Sequence, residues 1–324
     1  MIRRSGARFG ARFGAVAGAG ALLLLGVSAT AGCGITADQT IAGDPSPAAT
    51  ESVLAPTPAG PADALTGPPA TTQPVSKPPP PPTPPPPAVR APGRWVPAQG
   101  EQWQWQLTNP IDTSVNVPIY DVDSTYTTAA TVATLHAQGR KVICYVNAGA
   151  SEDFRPDKDA FPPSVLGDSD NWPGELWLDI RQLDILRPIM AARFDLCRAK
   201  GFDGIEADLV DGYTNSTGFP LTAQDQLNYN QMLASLAHQR GLSIGLKNDL
   251  DQVPQLVNDF DFAIVEQCFQ YQECDQLQPF IRAGKAVFEV EYQLANSQFC
   301  PTANALRFSA MRKNLALDPP RWPC

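Results

Sequence analysis

LCRAKGFDGIEAD, residues 196–208, holds the reading that decides the fold. A helix-like stretch closes on Arg198 and Lys200, Gly201 follows, and a short apolar run then carries Glu206 and Asp208 at its end. A glycine just past a helix fits a left-handed cap, and an apolar run after it fits a buried parallel strand. The same unit returns as LHAQGRKVICYVN (135–147), LAHQRGLSIGLKND (236–249) and FIRAGKAVFEVEY (280–292). Repeated helix–glycine–strand units predict an α/β fold, either a βα barrel or an open sheet. In both, chemistry gathers where the strands end. Here the strand ends hold Asn147, Glu206, Asp208, Lys247, Asn248, Asp249, Glu289 and Glu291.

Working outward, eight strands are predicted: 103–107, 117–122, 142–147, 204–208, 243–248, 262–267, 286–292 and one near 308–312. Helical patterns separate them, for example at 185–198 and 226–240. Residues 98–324 have the size of one small barrel, so the expected fold is a (β/α)8 TIM barrel. WLDI (177–180) reads as an extra element outside the barrel, within a long and elaborated loop after the third strand. Loops of that length are often functional.

Ahead of the barrel two segments stand apart. Residues 1–33 have the order of a signal peptide: Arg3, Arg4, Arg8 and Arg12, then the apolar stretch 15–27, then small residues. Thr30-Ala31-Gly32-Cys33 resembles a bacterial lipobox, with lipidation at Cys33 or cleavage after Ala31 as the two outcomes. The apolar stretch is too short and glycine-rich for a comfortable membrane span. Residues 34–97 form a Pro-rich linker that is expected to be disordered apart from KPPPPPTPPPPA (77–88). That run favours a stiff polyproline II rod rising about 3.1 Å per residue. The chain is therefore expected to be exported, as a surface lipoprotein or a secreted protein.

Six cysteines remain after Cys33, an even number that suggests disulfides in an exported protein. Cys268 and Cys274 enclose FQYQE and can pin one loop, and Cys300 and Cys324 can tie down the tail. Cys144 and Cys197 fall in a strand and a helix, where a pair of buried free thiols is the alternative to a disulfide.

The formal net charge of −9 argues against a nucleic-acid partner, since phosphate binding needs clustered Lys and Arg. There are two histidines, His136 and His238, each three residues before a repeat glycine, where a helix-end cation is favoured. Ser-His-Asp, Cys-His and multi-His zinc chemistry are thereby excluded at the strand ends. No loop has the alternating-oxygen spacing of an EF-hand. No cofactor or metal is expected, and the chain is expected to be a monomer.

Side chains alternate along a strand. In Ile205-Glu206-Ala207-Asp208 the apolar pair can face the helices, which turns both acids toward the barrel interior. The same parity puts Glu289 and Glu291 together, and Glu266 ends its own strand. An acidic mouth containing Glu206, Glu289 and Glu291 is the resulting expectation. So much negative charge is costly to bury unless it is paired, protonated or used. Paired carboxylates without histidine suit glycoside hydrolysis. Trp103, Trp105, Trp172, Trp177, Tyr145, Tyr213, Tyr271 and Tyr292 are available for stacking or for the core.

WQWQL, VICYVNAGASEDFRPD, WLDI, GFDGIEADLVDGYTN, GLSIGLKND, FAIVEQCFQYQEC and KAVFEVEY together resemble glycoside hydrolase family 114. The resemblance spans about residues 103–292. It implies a TIM-barrel endo-α-1,4-polygalactosaminidase acting on a galactosamine-containing polysaccharide. It implies Asp208 and Glu266 as the catalytic carboxylates, with Asp208 as nucleophile and Glu266 as acid/base. It further implies Asp123, Asn147, Glu206, Asp211, Tyr213, Lys247, Asn248, Gln267 and Glu291 along the subsites. The chain departs from the family pattern at Ala207 and Leu209, where proline and asparagine are expected around the aspartate. It departs again at Val265, where asparagine is common. A carbohydrate-binding barrel that has lost catalysis shares the fold and groove. A structural cell-wall protein would leave the acid cluster unexplained.

Overall fold

The computed structural model describes residues 93–324. The signal segment, Cys33 and most of the proline-rich linker lie outside the described residues. Eight parallel strands run in the order β1 (Trp103–Gln106), β2 (Ile119–Asp123), β3 (Lys141–Asn147), β7 (Gly204–Asp208), β8 (Ser243–Lys247), β9 (Phe262–Glu266), β10 (Val287–Glu291) and β11 (Ser309–Lys313). The chain is a nearly closed TIM-like α/β barrel. No ladder joins β1 to β11. Instead Trp103 Nε1 donates to the Ser309 carbonyl at 2.9 Å, Lys313 Nζ donates to Gln104 Oε1 at 3.1 Å, and the Leu107 amide donates to the Leu317 carbonyl at 3.0 Å. A short antiparallel strand, β12 (Arg321–Pro323), then pairs with β11.

The repeat glycines do what their position predicts. Gly139, Gly201, Gly241 and Gly284 all have positive φ, between 72° and 92°. Each ends a helix and turns the chain into the next strand: α1 (Ala129–Ala137), α2 (Leu183–Lys200), α3 (Ala223–Gln239) and α5 (Gln278–Arg282). At this end of the barrel, aspartates one residue before β7 and β9 accept from the strand before them. Asp203 takes the Val142 amide and Asp261 takes the Ile244 amide. His136 and His238, at the ends of α1 and α3, pair with the same two carboxylates at 2.8 and 2.9 Å. Both histidines therefore belong to the structural end of the barrel.

Alternation divides the core in two. Trp103, Trp105, Ile119, Ile143, Phe262, Ile264, Phe288, Val290 and Met311 fill the barrel, with Trp95 packed against them. Tyr120, Val122, Val142, Ile205, Ala207, Leu246, Val265 and Val287 face outward to the helices, against Phe194, Leu233, Leu256 and Phe280. Arg94 and Trp95, placed in the linker by sequence, already belong to the folded unit: Arg94 bonds Asp261 at 2.9 Å.

Three disulfides close the described chain: Cys144–Cys197, Cys268–Cys274 and Cys300–Cys324. The first decides between the two states open at Cys144 and Cys197 in favour of the disulfide. Cys144 points outward from β3 and Cys197 points inward from α2, so the two meet in the sheet–helix layer. Such bonds fit an extracellular protein. Among the described residues, no helix is long and apolar enough to cross a membrane. The long loop after β3 holds a small antiparallel sheet of β4 (Ala150–Glu152), β5 (Leu166–Ser169) and β6 (Glu175–Leu178), which includes the start of WLDI.

Gly245 on β8 shows how tightly the interior is filled. A Cβ there would lie 2.3 Å from Cε2 of Phe262, a ring held edge-on against Phe288. Overpacking of this kind typically costs about 1–3 kcal/mol. Gly245→Ala is expected to lose that much stability in a denaturant melt; an unchanged midpoint would contradict the packing described.

Candidate active site

Three neighbouring strands end on the functional groups: β7 on Asp208, β8 on Lys247 and β9 on Glu266. In each case the next residue is a non-glycine in the left-handed region, with Leu209 at φ 58°, Asn248 at 52° and Gln267 at 59°. Such backbone is uncommon outside glycine and clusters at functional sites. It lets each strand stop abruptly with its last inward side chain at the mouth. The Asn248 and Gln267 amides still complete the ladder, donating to the Ile264 and Val290 carbonyls at 2.9 and 2.8 Å. The Leu209 amide turns back to Asp208 Oδ1 at 2.7 Å. Asparagine, expected near here by resemblance, tolerates this conformation better than leucine does. Val265 points into the helix layer, so losing an asparagine there removes nothing from the mouth.

Lys247 lies between the two acids. Its Nζ is 3.1 Å from Asp208 Oδ1 and 2.7 Å from Glu266 Oε2, with Glu206 Oε1 at 3.7 Å and the Trp105 ring centroid at 5.0 Å. Burial alone would lower its pKa, but the three carboxylates outweigh it and hold the amine well above the ordinary lysine value. Asp208 also accepts from the Tyr145 hydroxyl at 2.7 Å, and Glu266 accepts from the Tyr292 hydroxyl. The Glu266 backbone is steadied by its amide bond to Asn248 Oδ1 at 3.2 Å. Asp208 is 2% exposed and Glu266 8%.

Below this layer Asp121 and Glu206 face each other with neither carboxyl exposed. No N–H or O–H of another residue hydrogen-bonds their oxygens. The two carboxyls lie within hydrogen-bonding range of one another, so they must share a proton. Burial pushes Asp121 up to about 7. Burial and the neighbouring Asp121 push Glu206 well above the ordinary glutamate range.

The remaining expected subsite residues separate into two groups. Asp123, Asn147, Lys247, Asn248 and Gln267 reach the mouth, and Asp211 and Tyr213 sit in the loop after β7. Asp123 pairs with Arg155 Nη1 at 2.7 Å, and Asn147 Nδ2 donates to Glu175. Glu206 and Glu291 are wholly buried and offer a sugar no surface. For Glu289 and Glu291 the parity runs opposite to expectation. Phe288 and Val290 fill the barrel, so the glutamates share the helix-facing side of β10 with Val287. There Glu291 Oε1 accepts the Phe269 and Gln270 amides at 2.9 and 3.1 Å, which ties down the disulfide-closed loop after Glu266. Burial raises Glu289, which keeps its proton beside Glu291. Trp103 and Trp105 are buried barrel core. Tyr145 and Tyr292, available by sequence for stacking or for the core, instead aim their hydroxyls at Asp208 and Glu266; their place two residues beyond an inward core residue is the signal for it. Arg155 was missed, because nothing in sequence pairs it with Asp123. Among the described residues, no cluster of three or more His, Cys, Asp or Glu is arranged to hold a metal ion.

Two carboxylates at the C-terminal mouth of a βα barrel are an arrangement that suits glycoside hydrolysis. The chain belongs to glycoside-hydrolase family GH114, whose model matches residues 84–324. It is similar to Aspergillus fumigatus Ega3, solved in complex with galactosamine. The identity is 41%, over 73% of this chain and 100% of that one, with a TM-score of 0.69. The glycoside hydrolase domain of PelA from Pseudomonas aeruginosa shares the fold at 15% identity, over 67% of this chain and 95% of that one, with a TM-score of 0.53. An uncharacterized protein of Deinococcus radiodurans is 28% identical over 59% of this chain and 72% of its own length.

The shared proton makes a pH signature. Below an aspartate's ordinary value of 3.8 Asp121 is protonated in folded and unfolded chains alike. As pH rises from there to about 7, the unfolded chain releases a proton that the fold retains, so this group's contribution to stability falls. Above that window the loss is complete. Asp121→Asn should flatten this descent, so the variant's Tm should gain on wild type between pH 4 and 7.5. A constant difference across that range would refute the shared proton.

Proposed function

We propose that the protein is an exported, retaining endo-glycosidase that cleaves α-1,4-linked, galactosamine-containing polysaccharide. The observation that carries this reading is Lys247, which contacts Asp208 at 3.1 Å and Glu266 at 2.7 Å. One nitrogen touching both limits the two oxygens to a separation of roughly 6 Å at most, nearer the about 5–5.5 Å of retaining enzymes than the about 6.5–9.5 Å of inverting ones. Asp208 is the nucleophile. Three donors, Tyr145, the Leu209 amide and Lys247, hold its carboxylate and aim it. Glu266 is the acid/base, with fewer donors and more exposure. It protonates the departing glycosidic oxygen as Asp208 attacks the anomeric carbon, and it takes a proton from the water that releases the glycosyl-enzyme.

Family membership and the galactosamine bound to Ega3 support the sugar class. The charge argument rests on Asp123, Asp208 and Glu266, since Glu206, Glu289 and Glu291 have no exposed surface. A cationic amino sugar suits such a mouth. In this reading residues 1–33 direct export, with lipidation at Cys33 and cleavage after Ala31 as the two outcomes; the three disulfides support export.

The non-catalytic alternative draws on the same lysine. Lys247 takes Glu266 Oε2 and the Tyr292 hydroxyl takes Oε1, whereas an acid needs an oxygen free to reach the departing group. Product analysis on partly deacetylated polygalactosamine separates the two. Asp208→Asn and Glu266→Gln should each lower kcat by about a hundredfold or more, and NMR of the first product should show the substrate's anomeric configuration. Binding without turnover in the wild type would favour the alternative. An inverted product would remove the nucleophile role from Asp208.

A further inference from the structure

Beyond the reacting pair, two aromatic rings on the rim take no part in this chemistry. Tyr126 follows β2 and Phe154 follows β4, so both stand on loops at the C-terminal mouth. They are 41% and 39% exposed. The Arg155 guanidinium carbon lies 5.5 Å from the Tyr126 ring centroid and 5.4 Å from that of Phe154. Arg155 is itself buried and fixed, by Asp123 at 2.7 Å and by two bonds to Glu152 at 2.8 and 3.0 Å. Asp123 Oδ1 in turn accepts the Thr125 and Tyr126 amides at 2.8 Å each. The two rings are thus seated on one immobilised cation and keep substantial surface in water.

This platform is continuous with the active site. Asp123 stands beside Tyr145 in the β2–β3 register, and the Tyr145 hydroxyl holds Asp208. On its far side Tyr126 lines an open trough of about 750 Å³ between the β1–β2 loop and α1. Asn109, Thr113, Thr128, Thr131 and Thr134 line that trough together with Pro110 and Ile111, and no ionisable side chain except Tyr126 does. Rigid exposed rings followed by hydroxyls and an amide are the surface a pyranose needs. Its C–H face packs on an aromatic ring, and its hydroxyls find short polar partners. Exposed aromatic patches at a cleft rim mark binding rather than core.

We propose that Tyr126 and Phe154 form a sugar-stacking subsite on the β2–β3 rim, which takes a pyranose ring outside the two rings at the cleaved bond and leads the chain into the trough beside α1. The subsite rests on the polysaccharide reading above. It adds the place where chain length is sensed.

The test uses the folded enzyme with galactosamine oligosaccharides of increasing length and the polymer. The variants are Tyr126→Ala, Phe154→Ala and the double substitution, with Tyr126→Phe as the ring-keeping control. The double variant should lose about tenfold in kcat/KM on the polymer, a loss on the scale of one or two aromatic contacts, with the shortest cleaved oligosaccharide unaffected. Tyr126→Phe should behave as wild type. Equal losses at every length, or none at any length, would overturn the subsite while leaving the glycosidase reading intact. If the wild type cleaves nothing, polymer binding by Asp208→Asn with and without the two alanines decides. Weaker binding with the alanines keeps the subsite and removes only the catalysis. No binding in either removes both.

Discussion

One buried ammonium group organises the mouth of this barrel. Lys247 is almost wholly enclosed, and Asp208, Glu266 and Glu206 all lie within 3.7 Å of its nitrogen. A single cation cannot offset every acid that the inward-facing positions of β2, β7 and β9 place there. The deeper pair, Asp121 and Glu206, responds by sharing a proton, and the upper pair is held by Lys247 and two tyrosine hydroxyls. Removing one partner of such a buried set usually costs about 3–5 kcal/mol, because a charge is left uncompensated.

A second group of acids lies on the other face of the sheet and works differently. Glu291 holds the backbone of the Cys268–Cys274 loop, and protonated Glu289 sits beside it. That loop begins immediately after Glu266, so a carboxylate among the helices anchors a segment at the barrel mouth. Arg155 serves comparably at the opposite rim, where it joins Asp123, Glu152 and the two exposed rings.

Much of the architecture was legible in the chain. The glycine after each helix announced its own left-handed cap, and all eight barrel strands fall within a residue or two of where apolar runs and repeats put them. The β4–β6 sheet and β12 escaped, apart from WLDI, because short antiparallel strands in a loop have too few residues to show a period. The orientation of VFEVEY also escaped. VFEVEY alternates, with Phe288, Val290 and Tyr292 on one side and Glu289 and Glu291 on the other, but in a strand buried on both faces alternation does not say which side faces the barrel. In GIEAD the outward residues are Ile205 and Ala207, so there the pattern did orient the acids.

The sequence by itself determined the strand order and the helix ends and, with the family motifs, pointed to Asp208 and Glu266 as the acids to watch. These are local or composition-level properties, set by backbone preference and by which side chains exist. Only the tertiary structure decided which acids meet Lys247, which share a proton and which face the helices. Those properties depend on the distance to a lysine four strand positions along the barrel from β1, on a tyrosine from a neighbouring strand and on the depth of burial, and none of them is encoded in the spacing of residues along one strand.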